Sequence, residues 1–473
     1  MCYPASFLKS AYNFPGSLDG TGSTIVIVDA FGSPTAQSDL NTYDTAFGIP
    51  ATTVTILCGP TWTGALTDNC PLKTIGDITT VGNTPAGQAC GGPGGVTGWA
   101  EETTLDLSQA HSLAPGANIV LVVANDCFDS SIYAAELAVV SQSQYKGSVM
   151  SQSFGEPDDL VTCTAVDQNG NCTARDPTLL NLPNQVFQMA QMNHWTVIAS
   201  SGDDGANEDA RVLGTGELTP SFPATSPLVL AAGGTQGNPY GGDYGPPPGA
   251  GGTNSCAAST NCNTGLVVIN GGANGCGTAT RPGEPSSCVP VGYGGEATWN
   301  EFNYFGLGTS SGGGISSLYK QPAYQAGSMN KGTTLLGVPF KVTGRSTPDV
   351  SFSSAIDGGV LAYLGFIGRW AVFGGTSAAS PAWASIIALL NQAHGKSVGF
   401  INPAVYKLGL TQVATALKGA FHDITSGNND DIGAVLGAEF GVDGYTATPG
   451  YDLTTGWGTP NVSVFINNIQ TFL

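Results

Sequence analysis

The chain has 473 residues, 41% of them hydrophobic, enough to bury a sizeable core without the staples that small proteins need. Only 10% of the residues are charged, against roughly 25% in an average globular protein. With 34 acidic and 14 basic residues the formal net charge is -20 at pH 7, which excludes nucleic acid and anionic membranes as partners, because both require a basic face.

From the N-terminus, Met1-Cys2-Tyr3-Pro4 shows no basic segment followed by an apolar one, so the chain reads as a mature form behind an initiator Met. The apolar runs 24–28 (TIVIV), 119–123 (IVLVV), 147–150 (GSVM), 196–199 (TVIA) and 228–232 (LVLAA) predict buried strands. Between them, 101–113, 179–193 and 380–394 predict helices. Strands alternating with helices give an α/β fold with a mostly parallel central sheet flanked by helices. From 233 to 314 the composition turns to Gly, Pro, Asn and Ser with four cysteines. This reads as a Gly-rich surface insertion pinned by disulfides rather than a second core. Without internal repeats or a helical seam, 1–473 reads as one domain and a monomer. No uninterrupted apolar run reaches the about 18 residues that a membrane-spanning helix needs.

The 11 cysteines carry information in their spacing. Cys58 and Cys70, Cys163 and Cys172, Cys256 and Cys262, and Cys276 and Cys288 are close neighbours in polar, Gly-rich loops. That pattern suits local disulfides made in an oxidising compartment, and therefore export. Cys90 and Cys127 are then left for a fifth bridge, with Cys2 unpaired. Metal ligation is the competing reading, disfavoured by the lack of any CxxC and by only four histidines. Asn171 and Asn461 head Asn-x-Ser/Thr sequons.

The segment Gly374-Gly375-Thr376-Ser377-Ala378-Ala379-Ser380-Pro381 opens a long apolar helix. Glycines allow a tight turn, and Pro381 is expected in the first helical turn, where its missing N–H would be unpaired anyway. Ser377 would then sit beside unsatisfied N–H groups and the positive end of the helix dipole. That setting favours an alkoxide and a developing oxyanion. A lone Gly-Ser segment is more often a helix cap. The complete GTSxxxP string is more specific, being similar to the nucleophile motif of subtilisin-like folds.

A serine nucleophile needs a base. His111, His194, His394 and His422 do not stand in an HGT-type segment, and each reads as a surface or core histidine. Glu102 and Asp106, in Gly98-Trp99-Ala100-Glu101-Glu102-Thr103-Thr104-Leu105-Asp106, are four apart on a predicted helix and share a face. Two close carboxyls cannot both ionise cheaply, so one proton is shared and one pKa rises. Such a pair can take the proton of Ser377 at a pH where an imidazole is already protonated. Acidic residues early in a helix also stabilise its dipole, so the pair by itself leaves both roles open. A third carboxyl, Asp203 in Ser201-Gly202-Asp203-Asp204-Gly205, follows the 196–199 strand, at the strand ends where parallel sheets build their sites. Protonated, it can donate to an oxyanion; an ordinary Asp-Gly turn is the alternative.

Taken in order, these residues resemble the sedolisin, or serine-carboxyl peptidase, family over essentially the whole chain. The further matching segments are Leu113-Ala114-Pro115-Gly116, Ser151-Gln152-Ser153-Phe154-Gly155, Ser311-Gly312-Gly313-Gly314, Arg345-Ser346-Thr347-Pro348-Asp349 and Ile401-Asn402-Pro403-Ala404-Val405-Tyr406. The resemblance implies a subtilisin-like fold in which Glu102 is the base, Asp106 its orienting partner, Ser377 the nucleophile and Asp203 the oxyanion-stabilising acid. It further implies polypeptide substrates, an N-terminal prosegment in the precursor, secretion and activity in acid. Phe154 stands where some relatives have Trp, and Asp29 where some have Glu, which alters the network behind the base.

Near the C-terminus, Phe421-His422-Asp423-Ile424-Thr425 and Thr448-Pro449-Gly450-Tyr451-Asp452 place two Asp residues beside Gly-rich backbone. Their spacing is not that of an EF-hand, and by spacing alone ordinary turns are favoured. The resemblance implies one structural Ca2+ here, held by the side chains of Asp423 and Asp452 and the carbonyls of Ile424, Thr448 and Gly450. The expected function is that of an acid-active endopeptidase. A tripeptidyl-peptidase of the same family and a non-catalytic, calcium-binding secreted relative are the alternatives. All four catalytic candidates are present, which separates the chain from an inactive relative.

Overall fold

The computed structural model describes residues 3–59, 65–167, 172–208, 217–236, 293, 295–301, 309–356, 358–415, 419–430 and 442–473. Its centre is an eight-stranded sheet. The spatial order is Ala297–Thr298, Leu230–Gln236, Thr196–Ser200, Val149–Gln152, Thr24–Ala30, Asn118–Ala124 and Val54–Cys58, with Val350–Ser353 pairing to Leu230–Gln236. Every pairing is parallel except that of Ala297–Thr298, which is antiparallel. The five predicted strands are therefore present, and the sheet gains three short ones, Val54–Cys58, Ala297–Thr298 and Val350–Ser353.

Alternation along the central strands explains why they read as continuous apolar runs. Ile25 and Ile27 pack into one core with Ile119, Leu121 and Val123, while Val26 and Val28 pack into a second core with Val120 and Val122. Both faces are buried, so no position needs to be polar. The helices Gly92–Leu113 and Thr376–His394 cover the first face through Leu105, Leu113, Ile386 and Leu390. Asp129–Val140 and Asn181–Met192 cover the other through Ile132, Tyr133, Val186 and Phe187.

Two helix starts differ from the sequence expectation. The first helix reaches back to Gly92, through glycines that disfavour helix. Tertiary packing overrides that preference. The preceding Cys90 is bridged to Cys127, and a Cβ on Gly87 would lie 2.1 Å from the Val81 carbonyl, so the chain is closely packed there. The last long helix begins at Thr376, which puts Pro381 inside it rather than in the first turn. The proline therefore removes an interior hydrogen bond, the one the Ser377 carbonyl would accept.

Bridges Cys58–Cys70, Cys90–Cys127 and Cys163–Cys172 are present as expected. Cys2, Cys256, Cys262, Cys276, Cys288 and the Asn171 sequon lie outside the described residues. Of the 233–314 stretch, Gly233 to Gln236 and Ala297–Thr298 are woven into the sheet, and 237–292 lies outside the described residues. No helix among the described residues is long and apolar enough to cross a membrane.

Candidate active site

Parallel strands deliver their C-terminal ends to one edge, and the predicted site residues gather there. Asp29 lies near the end of the central strand, Ser153 directly follows Val149–Gln152, and Ser201-Gly202-Asp203 follow Thr196–Ser200. Over this edge pass the start of the Thr376–His394 helix and the middle of Gly92–Leu113.

Glu102 and Asp106 stand one turn apart and act on each other's proton affinity, and the Ser377 hydroxyl acts on that of Glu102. Asp106 is fully buried, while Glu102 and Ser377 are partly exposed, so the pair is sealed behind and open in front. Asp29 is a third buried carboxyl on the same group. Burial, and then the proximity of Asp29, push Glu102 and Asp106 well above the usual carboxylate range. Asp29 itself is pushed up to about 7 by burial, an effect that nearby Thr103 opposes. The donors acting on Glu102, the Ser377 hydroxyl and the Asp106 carboxyl, favour its ionised form. The pair accordingly titrates as one unit, with the groups around Glu102 favouring its ionised form more than those around Asp106 do. Trp99 and Phe154 flank the open side, their rings 6.3 Å apart.

On the other side of Ser377 stands Asp203. Its Oδ1 accepts the Thr376 N–H at 2.7 Å and lies 2.8 Å from the Thr376 hydroxyl. A Cβ on Gly375 would approach the remaining oxygen, Oδ2, to 2.7 Å, and Gly375 has φ 102°. Both facts require glycine there. Asp204, by contrast, is buried and its segment pairs with Ser310.

The four histidines have other settings. His111 is buried with Nε2 2.8 Å from the Pro50 carbonyl. His194 is exposed, His394 ends the far end of the nucleophile-bearing helix, and His422 stacks on Tyr293 with centroids 3.6 Å apart. Two contacts were not legible as such. The Ser153 hydroxyl donates to Asp106 Oδ1 at 2.9 Å, and Thr376 clamps Asp203. Both residues stand in the quoted motifs, but nothing local in the sequence says what their side chains touch.

The C-terminal constellation also comes together. The Gly450 N–H lies 3.1 and 3.0 Å from the two oxygens of Asp423. Asp452 is fully buried and accepts the amides of Thr448 at 3.0 Å, Thr454 at 2.9 Å and Thr455 at 2.8 Å. Burial nonetheless pushes it up to about 6. Among the described residues no group of three or more His, Cys, Asp or Glu side chains is placed to hold a metal. An ion at this loop would draw its remaining ligands from backbone carbonyls. Two carboxylates with carbonyl oxygens are the hard donor set that Ca2+ takes, so the residues present fit that ion.

Residues 77–458 match the model of the subtilase family. The chain is 28% identical over 459 residues to kumamolisin of Bacillus sp. (strain MN-32), covering 96% of this chain and 61% of that protein. It is 28% identical over 287 residues to sedolisin of Pseudomonas sp. (strain 101), covering 60% and 36%. It thus spans less than two thirds of the length of both relatives. Among solved structures, Pseudomonas sedolisin, a serine-carboxyl proteinase complexed with pseudo-iodotyrostatin, superposes with a TM-score of 0.67 at 22% identity. That superposition covers 99% of this chain and 98% of the other, a likeness of fold.

Proposed function

The chain belongs to the subtilase family as a sedolisin-type peptidase, and from that premise we propose that it is an acid-active serine-carboxyl endopeptidase. The observation that carries the proposal is the gathering of Ser377, Glu102 and Asp106 at one strand-end edge, close enough to act on one another's proton affinity, with no histidine among them.

In this reading Ser377 Oγ attacks the peptide carbonyl and passes its proton to ionised Glu102, while Asp106 holds its own proton toward Glu102. Asp203, with Oδ1 occupied by Thr376, donates from protonated Oδ2 to the carbonyl oxygen as it becomes an oxyanion. The Ser377 N–H, in the first helical turn where no intrahelical acceptor is available, is the second donor. Glu102 returns its proton to the departing amine, leaving the acyl-enzyme. Water then attacks with Glu102 again as base, and Ser377 regains its proton as the acid product leaves. A carboxyl donates a hydrogen bond only when protonated, which confines turnover to acid.

The same reading makes 1–473 one catalytic domain of a secreted, monomeric enzyme, synthesised with an N-terminal prosegment and acting on polypeptides. The three disulfides support export. One Ca2+ would be held by Asp423 and Asp452 side chains and the Ile424, Thr448 and Gly450 carbonyls. It would supply positive charge that neutralises the two carboxylates and ties the loops together. Chelation should lower Tm by at least a few degrees; an unchanged Tm on adding and removing Ca2+ removes these residues from ion binding.

The central test is hydrolysis of an unfolded protein between about pH 2 and pH 8 by wild type, Ser377→Ala and Glu102→Ala. Activity confined to acid and lost in both variants is expected. A neutral optimum that survives Glu102→Ala would sink the proposal.

A further inference from the structure

Ser153 stands between the two halves of the proposed machinery. Its hydroxyl donates to Asp106 Oδ1 at 2.9 Å, and lies 3.3 Å from the Ser377 carbonyl oxygen. That carbonyl lacks its helical partner, because the residue four positions on is Pro381, which has no N–H. Ser153 is nearly fully buried, Asp106 entirely so, and water has little access to either. Asp106 Oδ2 receives no donor among the described residues, and Glu102 acts on the same carboxyl.

We infer that Ser153 is a positioning residue for the proton transfer: by occupying Asp106 Oδ1 it holds Oδ2 toward Glu102, and through the Ser377 carbonyl it ties that geometry to the nucleophile. The inference rests on the serine-carboxyl reading above. A hydroxyl has one proton, so the shorter contact to Asp106 is the principal bond and the Ser377 carbonyl the secondary one. Without it, Asp106 has a buried oxygen with no donor and can rotate away from Glu102.

The direction of the pH effect follows. The charges acting on Asp106 are those of Asp29, from the central strand, and Glu102, from its own helix; Asp203, after the Thr196–Ser200 strand, acts on Glu102. All are acidic. The Ser153 bond opposes them by stabilising the ionised form of Asp106. Removing it raises the proton affinity of the pair, so the acid limb of the kcat profile moves to higher pH.

The test compares kcat, KM and the acid limb of wild type, Ser153→Ala, Ser153→Cys and Ser151→Ala. Ser151 is the control: it is buried two positions earlier, on the strand that Ser153 follows, and contacts the Thr376–His394 helix through Ser380 Oγ at 2.9 Å, with no bond to Asp106. Ser153→Ala is expected to lower kcat about tenfold, leave KM within about twofold, and move the acid limb up by about half a unit or more. Ser153→Cys keeps the shape with a weak donor and should move the limb the same way, which preserves the test if the alanine variant does not fold. Ser151→Ala should leave the limb in place. An unmoved limb in the folded Ser153 variants, or an equal movement in Ser151→Ala, overturns the inference while leaving the serine-carboxyl reading intact. Wild-type activity that survives Ser377→Ala overturns that reading, and the inference with it.

Discussion

Asp106 and Asp349 are both aspartates buried to the same degree, and they stand in opposite surroundings. Asp349 meets Arg345, equally buried, through two bonds of 2.8 and 2.5 Å, and also accepts the Tyr406 hydroxyl at 2.6 Å and the Ala231 N–H at 2.8 Å. Its charge is fully matched, and it serves as a fixed strut between the sheet and the Asn402–Ala414 helix. Asp106 has one hydroxyl donor, and the charges acting on it come from Glu102 and Asp29. With like charges and no cation in that set, burial is offset by keeping a proton rather than by pairing. The partners supplied, more than burial itself, decide whether a buried aspartate is held as an ion or keeps its proton.

The sharpest way to separate the two regions is to neutralise one aspartate in each. Asp106→Asn keeps the volume but cannot hold or exchange the shared proton, so kcat should fall about a thousandfold or more while Tm changes little. Steady-state kinetics beside a thermal melt reads both. At the strut the pattern should invert. Arg345→Met strands a buried charge and should cost about 3–5 kcal/mol of stability by denaturant unfolding. The fraction that remains folded should keep its kcat. If Arg345→Met abolished turnover in folded protein, or Asp106→Asn unfolded the chain, the division would fail.

A smaller effect concerns pH. Asp29 is held up to about 7, and Glu136, fully buried and accepting from Gln152 at 2.5 Å, up to about 8 by burial. In the unfolded chain both ionise in the ordinary carboxylate range, so between there and about 7 to 8 the folded state binds more protons. Stability from these groups is fully present below the unfolded pKa values and is lost as pH rises through the folded ones. Denaturant midpoints should therefore decline from mildly acid to neutral pH, and Glu136→Gln should flatten part of that decline. A midpoint that rises over this interval would contradict the assignment of retained protons.

Much of the site was readable because its signals are local. The Glu102 and Asp106 spacing puts both on one helical face whatever the rest of the chain does. Gly374-Gly375 lead into the helix that carries Ser377, and Asp203 follows a strand. The continuous apolar runs could only be strands buried on both faces, which sets the parallel α/β class. The start of the first helix at Gly92 was not readable, since glycine propensity argues against it and only packing beside the Cys90–Cys127 bridge overrides that.

What the sequence by itself determined is the set of groups: a serine at a Gly-led helix start, carboxyls one helical turn apart, and no histidine in a segment suited to a base. Periodicity and turn chemistry act over a few residues, so these survive in a one-dimensional reading. Only the tertiary structure decided how the groups act on one another. Asp29 is 77 positions from Asp106 in the chain yet raises its proton affinity; Ser153 reaches Asp106 across 47 positions, and Thr376 reaches Asp203 across 173. Proton affinity depends on burial and on charges a few ångströms away, and those distances exist only once the sheet has brought its strand ends to a single edge.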